Sequence, residues 1–126
     1  MSKLSFKGIV AGILACGLAE GIFAVTVLLF ASHVARIYPG VAFDLLVLGN
    51  AVASVIGGYV AARIAGHDEL LNSVCAVLLP VVAGLARVAE HEWKGASIAL
   101  LLIYPMGGLL GGYLGHRPKP NLESPP

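Results

Sequence analysis

Charged side chains are scarce in this sequence. They make up 12% of its 126 residues, against about 25% in a soluble domain. That excludes an ordinary water-facing surface over most of the chain. An excess of one sign is missing too: the formal net charge is +1, which leaves no basic footprint for nucleic acid. The two cysteines, Cys16 and Cys75, fall in separate apolar segments with no CxxC or Cys/His spacing. A disulfide framework or thiolate metal site is therefore not expected, and both read as small buried hydrophobes. No HExxH pattern, phosphate-cradling glycine loop or nucleophile–base constellation occurs, so neither an enzyme nor a cofactor is expected.

What the chain has instead is apolar length. With 58% hydrophobic residues and a mean hydropathy of +0.89, it divides into four apolar runs at 8–31, 41–65, 70–89 and 95–115. Each is close to the roughly 20 residues that span a hydrocarbon core. Backbone groups in lipid must be satisfied internally, so the runs are expected to be helices. The predicted fold class is an all-α integral membrane protein, a single four-helix domain over residues 1–115. Residues 116–126, with Arg-Pro-Lys-Pro and Ser-Pro-Pro, are expected to form a flexible cytoplasmic tail. The first run is too long for a signal-peptide core and contains Glu20, so it is read as a retained helix. Lys3, Lys7, Arg63, Arg117 and Lys119 fall on one side, while Arg36, Arg87 and Lys94 fall on the other. This balance places both termini in the cytoplasm.

The segment Gly57-Gly58-Tyr59-Val60-Ala61-Ala62-Arg63 returns as Gly111-Gly112-Tyr113-Leu114-Gly115-His116-Arg117, an offset of 54. The expectation is two tandem helical hairpins, a parallel repeat rather than an inverted one. Small residues recur every fourth position at Gly49, Ala53, Gly57, Ala61 and Ala65, and at Gly107, Gly111 and Gly115. Such faces let helix backbones approach closely in a membrane. They are expected to pack on each other or on another copy.

Glu20 stands alone between Lys7 and His33, among apolar and small residues. An acidic side chain at the centre of a membrane helix costs about 2.5–3.5 kcal/mol on insertion scales, which makes it a functional-site candidate by default. It shares a face with Gly8, Gly12 and Cys16 and so is expected to point into the bundle. By helix rise it lies roughly 18 Å above Gly8, and Asn50 and Tyr104 lie roughly 20 Å above Arg63 and Arg117. Asn50 and Tyr104 are also equivalent positions of the repeat, whereas the equivalent of Glu20 is Val74. The candidate polar or proton site is Glu20, Asn50 and Tyr104, with Ser54 one turn below Asn50. Such a carboxyl can act as interhelical glue or can hold a proton and exchange it for a cation.

Other features have plainer readings. Pro80 and Pro105 are positioned to kink the third and fourth helices. Tyr59 with Arg63, and Tyr113 with Arg117, read as cytoplasmic interface anchors, with an anionic head-group site as the alternative. His33, Arg36, Asp44, Arg87, Glu90, His91 and Glu92 read as a solvated outer rim.

The stretch from Gly57 to Gly66 resembles a segment of small bacterial four-helix membrane proteins, which implies an inner-membrane location. Leu18-Ala19-Glu20 in the first of four short helices is similar to the proton-coupling segment of small multidrug resistance exporters. That resemblance carries over Glu20 alone, as a shared proton and cation site of a dimer. The aromatic lining of the exporters' second and third helices is not matched: Trp93 lies in a loop and the third helix has no aromatic residue. The expectation from the sequence is a non-enzymatic scaffold or accessory subunit. It would pack through its glycine and alanine stripes among membrane lipids, as a homo-oligomer or in a larger membrane complex. The alternative is a proton-coupled small-solute or cation transporter that uses Glu20.

Overall fold

The computed structural model describes residues 4–34, 36, 41–88 and 96–116. Over these residues the chain is all-helical, with four helices and no strand: α1 Phe6–Val34, α2 Val41–Ala65, α3 Glu69–Val88 and α4 Ala96–Gly115. Within them, Phe6–Phe30 and Val47–Ala65 are long and apolar enough to cross a membrane, with mean hydropathies of 2.3 and 1.4. Arg117, the tail beyond His116, and Glu90, His91, Glu92, Trp93 and Lys94 lie outside the described residues, as do Lys3 and Lys119.

Helix ends follow capping rather than hydropathy. The first helix begins two residues before the expected boundary because Ser5 caps it, its Oγ accepting from the Gly8 N–H at 3.2 Å. Lys7 is thus absorbed into the first turn; a charge does not stop a helix that has a cap. The last turn of α2 closes with the Gly66 N–H donating to the Ala62 carbonyl at 3.3 Å. Gly66 then takes a left-handed φ of +67°, the conformation that suits glycine after a helix end. Asp68, at φ 43°, completes the tight turn into α3, which starts at Glu69. Both α3 and α4 are assigned as continuous helices through Pro80 and Pro105.

Helix α2 is the hub. It packs on α1, α3 and α4, and α3 also touches α1 and α4, but α1 and α4 have no close backbone approach to each other. The four helices therefore form a rhombus with α2 and α3 on the short diagonal. The stripes divide differently from the simplest expectation. Gly49, Gly57 and Ala61 face α1, meeting Phe23, Cys16 and Gly12; a Cβ on Gly57 would lie 2.9 Å from the Gly12 carbonyl oxygen. On α4, Gly107 and Gly115 meet Ser54 and Ala62 of α2, and Gly111 meets the backbone of Val55 and Tyr59. Successive helical positions point about 100° apart. The neighbouring small row Ser54, Gly58 and Ala62 thus gives α2 a second flat face, and α4 uses that one. Ala53, in the first row, is buried.

The interior is small and partly polar. Cys16, Ala53, Ser54, Ala61, Asn72, Ser73 and Ala76 are buried, while Leu14, Leu18, Ile22 and Leu29 of α1 point outward, Leu18 being 68% exposed. A water-soluble helix would bury those leucines. Here close backbone approach at the interfaces leaves the large side chains outside.

Candidate functional site: a carboxyl–phenol–amide cluster at mid-bundle

Glu20 is the midpoint of α1, fourteen residues from both Phe6 and Val34. Its carboxyl is half-buried. Glu20 Oε1 is hydrogen-bonded to the Tyr104 hydroxyl, which crosses from α4 although the two helices do not pack backbone to backbone. The same hydroxyl lies 2.6 Å from Asn50 Oδ1 on α2. On α1 itself, the buried Cys16 thiol donates to Glu20 Oε1 at 3.5 Å, one turn away. Three helices thus supply side chains to one point. The spacing that places them there is local: Cys16 and Glu20 share a face at i and i+4, and Pro105 follows Tyr104 directly.

The hydrogen count of this cluster is informative. A phenol has one proton, yet the Tyr104 oxygen is within bonding distance of both Glu20 Oε1 and Asn50 Oδ1. With the Asn50 oxygen facing Tyr104, one arrangement gives every contact a proton. A protonated Glu20 donates to the Tyr104 oxygen, and Tyr104 donates to Asn50. The cluster therefore accommodates a neutral carboxyl without an orphan acceptor.

Ser54 is not part of this cluster. It is fully buried, and its hydroxyl donates to the Ala51 carbonyl of its own helix at 2.7 Å. Its side chain packs against Gly107, so its polarity serves the α2–α4 contact. At the other interface, the Arg63 guanidinium sits 5.6 Å from the centre of the Tyr59 ring, a cation–π distance, and both side chains are exposed. Tyr113 is exposed as well. Among the described residues no group of His, Cys, Asp and Glu could hold a metal ion.

A second polar cluster, not singled out from the sequence, occupies the end of the bundle where α1 begins. Asn72 is fully buried. Its Oδ1 accepts from the Ser5 N–H at 2.7 Å, and its Nδ2 donates to the carbonyls of His67 and Asp68 at 3.0 and 3.1 Å. Ser73 Oγ lies 2.9 Å from the Gly58 carbonyl and 2.5 Å from that of Glu69. The Glu69 carboxylate meets His116 Nδ1 just beyond α4. The available signal was the adjacent pair Asn72-Ser73 inside an otherwise apolar run, one turn after Gly66-His67-Asp68.

Comparison with known protein families, curated proteins and solved structures finds no match for this chain.

Proposed function

We propose that this is a small integral membrane protein that carries no enzymatic chemistry and handles protons at Glu20, as a proton-coupled carrier of small solutes or cations. The observation that carries this reading is the Glu20–Tyr104–Asn50 cluster: a lone mid-helix carboxyl, half-buried, joined by side chains alone to two further helices. Membrane residence is supported by the outward leucines and the small, polar interior, a pattern that suits lipid rather than water. In this reading all four helices span, both termini are cytoplasmic, and the location is the inner membrane of a bacterium, as the Gly57–Gly66 resemblance implies. In this reading the chain is two tandem hairpins, and the bond between Asn50 and Tyr104 joins two positions 54 apart. The packing is nonetheless unequal, since α2 contacts α3 while α1 and α4 stay apart.

A second reading, a scaffold or accessory subunit, draws on the open apolar face of α1, where Leu14, Leu18, Ile22, Val25 and Leu29 are exposed. A second copy or a larger membrane complex would cover it. The glycine rows offer this role little, because α1, α2, α3 and α4 already use them on one another.

Glu20→Gln separates the two. The full chain is reconstituted in liposomes containing a pH-sensitive dye, and proton movement is followed as alkali cations or a small organic cation are added outside. The wild type is expected to exchange protons for at least one of these cations. Glu20→Gln is expected to fall to the level of protein-free liposomes while eluting as the same folded species. Flux that survives the substitution, or a wild type inert to every cation tried, would overturn the carrier reading.

A further inference from the structure

Charge falls unevenly along the four helices. Lys7 and His33 lie in the first and last turns of α1, Asp44 and Arg63 in those of α2, and Glu69 and Arg87 in those of α3. Helix α4 has no acidic or basic residue from Ala96 to Gly115. Glu20 is thus the single carboxyl or basic group at mid-bundle. The side chains bonded to it or through it, Cys16, Tyr104 and Asn50, are neutral at ordinary pH. A bare carboxylate at membrane depth is costly. Two states avoid that cost: a protonated carboxyl, or a carboxylate matched by one positive charge. A divalent ion would leave the centre with an excess charge and fits neither.

The proton of a neutral Glu20 has a definite seat. It lies between Oε1 and the Tyr104 oxygen, while the Tyr104 proton points to Asn50 Oδ1, 2.6 Å from the phenol oxygen. A lone pair of that oxygen therefore faces the carboxyl whether or not Glu20 holds its proton. A cation in the same seat is bound by the same two oxygens. Asn50 makes a further interaction besides its bond to Tyr104, and nothing in the exchange asks its amide to turn. Admitting an ion does require the two oxygens to part. They are carried by α1 and α4, helices with no close backbone approach to each other, so no glycine seam resists the widening.

The seat also selects among cations. Oxygen donors suit hard ions rather than transition metals, in keeping with the lack of a metal-binding group of His, Cys, Asp and Glu among the described residues. An organic cation is recognised over open aromatic faces. Here the oxygens touch one another, and Phe23, three residues after Glu20, is packed against Gly49. Potassium is held by rings of several carbonyls, more than a carboxyl and a phenol supply. We infer that the seat between Glu20 and Tyr104 takes one small monovalent cation, sodium or lithium, in place of one proton, so that exchange is one-for-one and electroneutral. The inference rests on the proton-handling reading. In the step the Glu20 O–H bond breaks and the proton leaves on a water. The cation enters from water and pairs with the carboxylate; no electron is transferred. Both loaded states are neutral, which ties the release of one ion to the entry of the other.

The test uses the full chain in liposomes with a pH-sensitive dye inside, and valinomycin with potassium on both sides to set the membrane potential. Sodium, lithium, calcium or tetramethylammonium is added outside, and entry of radioactive sodium is counted beside proton exit. Sodium or lithium is expected to drive protons out, one for each sodium counted, at a rate that does not change with the potential. Calcium and tetramethylammonium should do no more than in protein-free liposomes. A rate that follows the potential, a ratio other than one, or proton exit driven by potassium, calcium or the organic cation would overturn the inference and leave the proton-handling reading standing. A wild type whose protons no cation moves would overturn both. Tyr104→Phe should need about tenfold more sodium for half-maximal exchange, the equivalent of one lost polar contact to a charged group. An unchanged sodium requirement would overturn the phenol oxygen as a ligand. Elution of the variant as the same species checks that it folds as the wild type does.

Discussion

The two polar clusters of this bundle differ in what satisfies them. At the end where α1 begins, Asn72 and Ser73 are fully buried and bond almost entirely to backbone, namely the Ser5 N–H and the carbonyls of His67, Asp68, Gly58 and Glu69. At mid-bundle, Glu20, Tyr104, Asn50 and Cys16 bond to one another through side chains, and three of the four are half-buried. Backbone carbonyls and N–H groups have fixed roles as acceptors and donors. A side chain clamped to them has one arrangement and no chemistry to offer. A carboxyl, a phenol and an amide each have more than one hydrogen-bond role open to them. The end cluster ties a turn to the backbone; the central one joins side chains of α1, α2 and α4.

The sharpest way to break the contrast is to open the seam beneath both clusters. The Gly58 carbonyl accepts from the Ser73 hydroxyl, and a Cβ on Gly58 would lie 2.5 Å from the Gly108 carbonyl oxygen and 2.9 Å from Gly108 Cα. Gly58→Val should force α2 and α4 apart and lower stability by about 1–3 kcal/mol or more, seen as early thermal unfolding in detergent and loss of both clusters' signals. Next comes Asn72→Leu, which takes the acceptor from the Ser5 N–H and the side-chain donor from the His67 carbonyl, while the Asp68 carbonyl keeps the backbone N–H of residue 72. At about 1–3 kcal/mol for a buried unsatisfied group, the expected loss in the same thermal assay is at the upper end of that range. Proton flux per folded molecule should be unchanged; flux that vanished while the fold remained would erase the distinction between the clusters.

Tyr104→Phe is expected to reverse that pattern. Loss of one hydroxyl should cost only about 0.5–1.5 kcal/mol, while proton-coupled flux should drop because α1 loses its bond to α4. The smallest effect belongs to Ser54→Ala. Its hydroxyl bonds to the Ala51 carbonyl one turn back, a contact that adds little to a helix already hydrogen-bonded. A change under about 0.5 kcal/mol is expected, with flux unaltered. A strong flux defect in Ser54→Ala would move this residue into the central site.

Much of the mid-bundle site could be read from the chain because helix geometry converts residue counts into heights. Glu20, Asn50 and Tyr104 fall at matching levels once the four runs are laid antiparallel. Counting could not say which side chains turn toward each other, and Ser54 shows the cost: it has the right height but packs against Gly107 at the α2–α4 seam. Asn72 stayed hidden for another reason. Its partners are backbone groups of Ser5 and of a turn that only the left-handed Gly66 and Asp68 create, and no residue pattern announces a carbonyl that needs a donor.

Composition and periodicity by themselves determined that this chain forms four apolar helices, about where they run, and that one carboxyl sits alone in the first. These follow from local physics: scarce charge, run length and capping. The tertiary structure decided that α2 is the hub, that its two small faces go to different neighbours, and that Tyr104 reaches Glu20 across helices that do not pack together. Those outcomes depend on rotation of each helix about its axis. Close packing among four helices sets that angle, and no single helix carries it in its own residues.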